Sequence, residues 1–577
     1  MDSTSRMELR SHAAQVAAGY YPSLLHWLLH WARTQPDSVY LTQPLPDGRI
    51  AEYRWCEVAD QALRFAAYLD QLQLPPRSSV ALLGKNSAHW IMADLAIGLA
   101  GHVSVPLYST LNAPGAAYVL EHSDARLLLV GRLDSGADAL LALAGAIKVP
   151  VVSLPQAPMI DVPRWEDIVA AHTPLPEPKL PLGGEVATIA YTSGSTGRPK
   201  GVMHSHANML CFAEGFNQGF ALDTGDRMLS YLPLAHLAER GLVEANSLRH
   251  GFGVWFNDSL ASFADDLRRA RPTVFFSVPR LWTRFYQSIQ AGFPQLERAS
   301  RESSGAEAAS ARRQILAQLG LEQVRCAMTG SAPLSPEIIS WYRELGLELL
   351  EGYGMSENFG YSHGSRLGEV RLGYVGHPAP GVECRLGDDG EVLVRSPAQM
   401  LGYYKDPDLS AASLTADGFL KTGDRGVIDE CGRLRITGRV KDLFKTSKGK
   451  YVAPAPIENL LGRHPRVEAA CVAGLGLPQP LALLVIGGAS ELGATQRDAI
   501  ARELATLLAE VNGDLADHER LCCLVVVDEP WTIDNGCLTV TLKIRRDAIE
   551  ARHARQCADW HAHGAAVIWE ADRPLTE

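Results

Sequence analysis

Two textures divide the chain. Up to about residue 370, short aliphatic and β-branched runs alternate with stretches whose apolar residues return every three or four positions. "VALLG" (80–84) and "VSVPL" (103–107) predict strands, and "AHWIMADLAIGLAG" (88–101) between them predicts a helix ended by glycine. That is a β-α-β unit of a mostly parallel sheet. The pattern returns at "ARLLLVG" (125–131), "VPVVSL" (149–154), "VATIAY" (186–191) and "TVFFSV" (273–278). The polar, small-residue stretch "RASRESSGAEAASARR" (298–313) predicts an exposed excursion with some helix.

Beyond residue 370 the strands shorten and Gly-Asp turns separate them, as in "GEVLVRSP", "GFLKTGDRGVID" and "GRLRITGRVKD". After Lys441 the strand-like "VEAACVAG", "PLALLVIGG" and "LCCLVVVDEP" and the helical "QRDAIARELATLLAEVNGDL" form a new unit. The expected architecture is α/β. A large N-terminal domain of mixed and parallel sheets flanked by helices carries a β-rich subdomain. A small, mobile α+β domain follows. The expected boundaries are 1–438 for the large domain, 439–441 for a hinge and 442–577 for a lid. A chain of 577 residues is too long for one core, which agrees with that division.

Composition narrows the function classes. Apolar residues make up 46% and charged residues 21%, as in an ordinary globular protein. A net charge of −11 argues against nucleic acid as a partner. Ten cysteines are scattered from Cys56 to Cys557 without a C-x-x-C pair, so free thiols in a reducing compartment are expected, not disulfides or zinc. The N-terminus lacks the basic start and apolar core of a signal peptide, and no apolar run reaches the length of a membrane span. The amphipathic "YYPSLLHWLLHWA" (20–32) is expected to pack on the domain, not to anchor it. Cytoplasmic placement is expected; peripheral contact with the inner membrane face stays open, as do monomer and homodimer.

The candidate chemistry starts at "YTSGSTGRPKG" (191–201), directly after an apolar run. Thr192, Ser193, Ser195 and Thr196 offer hydroxyls. Gly194 and Gly197 let backbone N–H groups approach anions, and Arg198 and Lys200 supply positive charge. Such a loop suits phosphate. It is not a Walker loop, because Arg198 and Pro199 stand between the last glycine and Lys200.

Seven stretches together resemble the adenylate-forming family, whose members activate carboxylates with ATP. They are this loop, "YLPLAHLAERG" (231–241), "TGSAPLS" (329–335), "EGYGMSEN" (351–358), "KTGDRG" (421–426), "GRVKDLFKTSKG" (438–449) and "LTVTLKIRR" (538–546). The likeness spans roughly residues 55–546. "VFFSVPRLWTRFY" (274–286), "GKYVAPAPIEN" (449–459) and "WTIDNGCLTVTLKIRR" (531–546) resemble the long-chain fatty acyl-CoA synthetase branch, and "EGYGMSE" its bubblegum-type subgroup.

The resemblance implies a long-chain fatty acid–CoA ligase using ATP, Mg²⁺ and CoA. Thr192–Lys200 would hold the β- and γ-phosphates. Gly330, Ser331, Ala332 and Pro333 would form one wall of the adenine slot, with Tyr353 and Gly354 opposite. Ser356 would reach the α-phosphate, standing where many relatives have Thr, and Glu357 would ligate Mg²⁺. Asp424 would accept the ribose hydroxyls, and Arg439 would add a ribose or phosphate contact. Lys543 would reach the α-phosphate and the attacking carboxylate. His236 would lie near the acyl carboxylate and the thiol's route; a packed core histidine is the competing reading.

The same resemblance makes Lys441 the hinge. Lys445 and Gly449 would line the CoA passage, where Lys448-Gly449 departs from the family's Gly-Gly. Residues 275–282 would wall or gate an apolar acyl tunnel. Three other readings compete: loading of a carrier-protein phosphopantetheine, a non-catalytic acyl- or nucleotide-binding protein, and a Walker-type NTPase. No carrier domain is expected beyond Glu577, Lys543, Glu357 and Asp424 are all present, and the loop spacing is wrong for a Walker site. These observations favour the CoA ligase.

Overall fold

A computed structural model of the chain describes residues 22–133, 145, 147–192, 198–332, 334–464, 466–489, 492–532, 535–539 and 543–572. Ser193, Gly194, Ser195, Thr196, Gly197 and Pro333 lie outside the described residues.

The largest sheet has seven strands in the order Gly402–Tyr403, Lys200–Ser205, Val186–Thr192, Val103–Leu107, Ser79–Leu83, Leu127–Val130 and Val151–Ser153. The last five run parallel, and Lys200–Ser205 turns antiparallel to Val186–Thr192. Ser79–Leu83 and Val103–Leu107 are buried at every position, as expected of strands covered on both faces. The helix Ala88–Leu99 crosses between them, is buried on nearly all sides, and is capped by Ser87, whose hydroxyl accepts the Trp90 N–H at 3.1 Å.

A five-stranded sheet runs Val274–Ser277, Cys326–Gly330, Leu349–Tyr353, His363–Gly364 and His377–Pro378, with the first three strands parallel. A four-stranded sheet joins Ile50–Arg54, Val39–Pro44, Gly253–Phe256 and Arg227–Ser230. The region after residue 370 is the antiparallel sheet Glu383–Leu386, Glu391–Arg395, Leu420–Ile428 and Leu434–Arg439. The C-terminal unit packs the helix Ala494–Asp514 on the sheet Val467–Ala473, Leu481–Ile486, Leu524–Val526 and Val567–Trp569. The expected α/β architecture, with a β-rich part and a smaller α+β unit, is therefore present.

Two local readings gain detail. The helix Leu24–Thr34 buries Leu24, Leu25 and Leu28 against the domain. The 298–313 stretch is more ordered than its composition suggested. It belongs to the helices Pro294–Glu302 and Gly305–Gln318, and Ala308, Ala311 and Ile315 bury one face of the second. Alanine supplies helix propensity there and fits a close packing face.

Candidate active site

The site elements collect at strand ends. Thr192, Gly330 and Tyr353 are the last residues of Val186–Thr192, Cys326–Gly330 and Leu349–Tyr353, three strands of the two α/β sheets. Carboxyl ends of parallel strands are where open α/β sheets bind ligands. Thr192 pairs directly with Lys200, so the 193–199 loop links two antiparallel strands. A Walker loop instead opens into a helix, and this topology removes that alternative on geometric grounds. The Lys200 ammonium lies 5.5 Å from the Tyr403 ring centre, and the Arg198 guanidinium 5.9 Å from that of Tyr118.

Gly330 pairs with Gly352, and a Cβ on Gly330 would stand 2.9 Å from the Gly352 carbonyl. The backbone is thus bare beside Tyr353, and the chain leaves it through Ser331 in the left-handed region at φ +69°. Ser331 and Ala332 are exposed. Gly354 is needed for another reason: a Cβ there would fall 2.3 Å from the Gly360 carbonyl, closing the turn that carries Ser356 and Glu357. That turn is a 3-10 segment, Ser356–Asn358, and the buried His204 ring donates its Nε2–H to the Ser356 carbonyl at 2.6 Å.

Three polar groups interlock beside the end of the strand Leu349–Tyr353. Tyr353 donates its hydroxyl to Asp424 Oδ2 at 2.8 Å, and Arg439 Nε lies 3.1 Å from Asp424 Oδ1. Asp424 and Arg439 face each other across neighbouring strands. Burial raises the Asp424 carboxyl above its ordinary value, against Arg439, the Tyr353 hydroxyl and Lys543, which all favour its charge. Glu357 is held separately: Tyr403 donates to Oε1 at 2.7 Å, and the Met400 N–H to the Glu357 carbonyl at 2.7 Å.

Lys543 stands on the return arm of a small hairpin. Leu538 bridges Ile544, Thr539 N–H bonds the Lys543 carbonyl at 2.8 Å, and Lys543 N–H bonds Thr539 Oγ1 at 3.1 Å. Burial and the nearby Arg439 charge lower its ammonium below the usual lysine range, while Asp424 and Glu357 favour the charge. Lys543 is itself exposed, so protein surrounds the ammonium without sealing it from water.

His236 joins the same field. Burial, helped by Lys543, pushes its imidazole down to about 4. Its Nδ1 accepts the Ala238 N–H at 3.1 Å, which leaves the proton of the neutral ring on Nε2. Three residues on, the buried Glu239 organises the loop beneath: it accepts from Ser230 Oγ at 2.9 Å, Tyr231 N–H at 3.0 Å and Asn86 Nδ2 at 3.4 Å.

The Lys543 ammonium thus lies in the electrostatic field of Asp424, Arg439 and Glu357, and His236 lies in that of Lys543. Lys441, Lys445 and Gly449 are exposed. Lys445 ends the first strand of the two-stranded hairpin Phe444–Lys445 and Tyr451–Val452, and no described contact joins it to the cluster. Phe275 and Trp282 are fully buried in one hydrophobic cluster, and Trp282 donates to the Met328 carbonyl at 3.1 Å. Motif reading missed Tyr403, His204, Glu239 and Asn86. Tyr403 reaches the site only because Gly402–Tyr403 pairs with the strand leaving the phosphate loop, a contact that no local spacing encodes.

The layered sheets, the strand ends that gather these residues and the lysine borne by a separate C-terminal unit define an α/β protein with a small second unit. The chain matches the AMP-binding enzyme family over residues 28–404 and the AMP-binding enzyme C-terminal domain over 441–560, and it belongs to that family. It is 30% identical to a long-chain-fatty-acid–CoA ligase, FadD15, of Mycobacterium bovis, over 94% of this chain and 97% of that protein. It is 31% identical to the peroxisomal long chain acyl-CoA synthetase 6 of Arabidopsis thaliana, over 93% of this chain and 86% of the relative. In fold it is similar to the A domain of a carboxylic acid reductase from Segniliparus rugosus in complex with AMP and a carboxylic acid. There the TM-score is 0.76 at 23% identity, covering 94% of both chains. All ten cysteines are free, and among the described residues no helix is long and apolar enough to cross a membrane.

Proposed function

We propose that this chain is a fatty acid–CoA ligase. It joins a medium- or long-chain fatty acid to AMP, with release of pyrophosphate from ATP, and then passes the acyl group to CoA. The observation that carries this reading is that Lys543 lies within electrostatic reach of Asp424, Arg439, Glu357 and His236, each more than 100 residues away in sequence. The names of the relatives supply the substrate class.

The chemistry follows from charge. A fatty carboxylate is a poor electrophile until one oxygen attacks the α-phosphorus of ATP, and that step concentrates negative charge on phosphoryl oxygens. Lys543 supplies the fixed positive charge that favours the transition state over the ground state. Thr192, Lys200 and the intervening loop hold the β- and γ-phosphates. Tyr353 lies against adenine beside the bare Gly330 backbone, and Ser356 reaches the α-phosphate. Asp424, oriented by Tyr353 and Arg439, accepts the ribose hydroxyls. His236, neutral at physiological pH, presents Nε2–H toward the acyl carboxylate without adding charge.

Glu357 is the residue that would hold Mg²⁺. Among the described residues no cluster of three or more metal-ligating side chains exists, and a lone carboxylate beside a phosphate loop suits Mg²⁺ bound chiefly through nucleotide and water. When bound, the ion neutralises phosphate charge.

Thioester formation requires Lys543 to withdraw. The chain leaves the β-rich sheet where Val440 N–H bonds the Gly423 carbonyl at 2.8 Å, so Lys441 is the first residue beyond the sheet's hold. A torsion change at that point would swing 442–577 as a body. Lys445 and Gly449, exposed in the present arrangement, would then face the thiol passage. Burying the acyl chain in an apolar tunnel contributes about 0.8 kcal/mol per methylene, so length alone can give affinity.

The test is pyrophosphate release over saturated carboxylates of increasing length, with CoA, with a phosphopantetheinylated carrier protein, and with neither. The expected result is release that rises with chain length, and thioester formed with CoA. Thioester on the carrier alone would move the acceptor to the rival reading, and inorganic phosphate in place of pyrophosphate would overturn the ligase.

A further inference from the structure

The grip on Glu357 comes from a segment that none of the seven motifs contains. Residues 400–404 run beside the strand that leaves the phosphate loop: Gly402 pairs with Met203, Tyr403 with Val202, Leu401 N–H bonds the Met203 carbonyl at 2.9 Å, and Tyr404 N–H the Gly201 carbonyl at 2.7 Å. The same segment seizes Glu357 twice. Met400 N–H holds its backbone carbonyl at 2.7 Å, and the Tyr403 hydroxyl donates to Oε1 at 2.7 Å. Tyr403 is 8% exposed and packs with Val202, Met400 and Leu420, so its ring has little freedom. The Lys200 ammonium lies 5.5 Å from the same ring's centre, on the loop's exit strand.

We propose that Tyr403 is a positioning residue for the divalent cation: its hydroxyl occupies Glu357 Oε1 and turns Oε2 toward the metal bound on the ATP phosphates. The logic is that of an outer partner orienting a ligating carboxylate. A glutamate side chain has three rotatable bonds, and one charge-assisted hydrogen bond from a packed ring fixes the carboxylate's plane before the metal arrives. Because Tyr403 is paired to the strand that begins at Lys200, the metal carboxylate and the phosphate-loop cation keep a constant separation. The proposal rests on the reading of Glu357 as the metal ligand, and the experiment separates the two.

The full-length protein, Tyr403→Phe and Glu357→Gln are titrated with Mn²⁺ in the presence of α,β-methylene-ATP, with free Mn²⁺ read by electron paramagnetic resonance. Tyr403→Phe keeps the ring and its packing and removes one oxygen. It is expected to weaken Mn²⁺ binding about threefold to tenfold, the range for a hydrogen bond to a charged group set against water. The analogue's affinity without metal should stay unchanged. In the pyrophosphate assay the Mg²⁺ concentration for half-maximal rate should rise by a similar factor, while the rate at saturating Mg²⁺ recovers. A purely structural role would lower the saturated rate instead. Unchanged Mn²⁺ affinity in Tyr403→Phe with weakened binding in Glu357→Gln overturns this inference alone. No weakening in either variant overturns the metal reading and the inference with it. Equal loss of metal-free analogue binding in Tyr403→Phe would mean that the tyrosine serves the nucleotide pocket, and would also overturn it.

Discussion

The two sides of the site are built differently. On the large domain, Asp424 is fixed by Tyr353 and Arg439, Glu357 by Tyr403 and Met400, and His236 sits over a loop tied together by buried Glu239. Each group has its geometry set by a sheet or by a bond to one. On the C-terminal side a single ammonium, Lys543, rides on a short hairpin whose own bonds are local. The ion pairs described between the units are weak: Arg280 meets Glu468 at 3.1 Å and Arg463 meets Glu337 at 3.4 Å, both pairs exposed and so worth about 1 kcal/mol or less each. A preorganised nucleotide seat and a deliverable cation are what a two-step reaction with one active site needs. In the proposed reaction the seat would serve both steps and the cation one.

The sharpest way to break this comparison is to remove the cation. Lys543→Ala is expected to slow acyl-adenylate formation by about 100- to 1,000-fold, the usual loss when a preorganised transition-state charge partner is deleted. Thioester formation from supplied acyl-AMP should change by no more than a few-fold. Rapid-quench measurement of each half-reaction decides it, and equal loss in both would make Lys543 part of the seat. Locking the hinge is the complement. Lys441→Pro should leave adenylation within a few-fold and reduce the thioester step at least tenfold, because proline fixes the φ torsion that the swing needs. Equal damage to both steps would place the pivot elsewhere.

Why the seat was only half legible follows from the same contrast. Motifs written within a dozen residues, such as 192–200 and 351–358, could be read locally, the first through residue type and both through their resemblance to the family's stretches. The Asp424–Arg439 pair was readable residue by residue, but its geometry came from strand register. Tyr403 and His204 left no trace, because each acts through a partner about 46 or 152 residues away that only sheet pairing supplies. The helical pair spanning 294–318 was underread because its alanines resemble linker composition while serving a packed face. Strands buried on both sides, such as 79–83, were legible because a parallel sheet leaves an uninterrupted apolar run.

A smaller effect sharpens the picture of the seat. Asp424→Asn keeps the shape and the Tyr353 contact but removes the charge that Arg439 and the ribose hydroxyls share. It should raise KM for ATP about tenfold, the value of one charge-assisted hydrogen bond, with KM for the fatty acid unchanged. A parallel rise in both constants would mean that the pair supports the fold and not the nucleotide.

The mildest distinction is one of stability against pH, and it separates the two units. The large domain buries neutral imidazoles pushed down to about 3 or 4 at His89, His204, His206, His236, His250 and His363. It also buries Glu239, Glu244 and Glu351, each raised by burial to about 8. As pH falls below the ordinary imidazole value the unfolded chain takes up protons that the native histidines refuse, so stability declines toward pH 4. As pH rises from the ordinary carboxyl value toward 8 the unfolded chain has already lost the protons that the native glutamates keep, so stability declines in that direction too. With six imidazoles opposing three carboxyls, the two slopes cancel where the unfolded imidazoles are half protonated, near pH ~6.5, and thermal unfolding of the large domain should peak there. In the C-terminal unit, burial lowers His464 and raises Glu458, Glu550 and Asp528, all by smaller shifts than those of the large domain, which gives a flatter profile. Differential scanning calorimetry at half-unit pH steps should resolve a pH-dependent transition for the large domain beside a nearly invariant one, and two transitions moving together would show that the units melt as one.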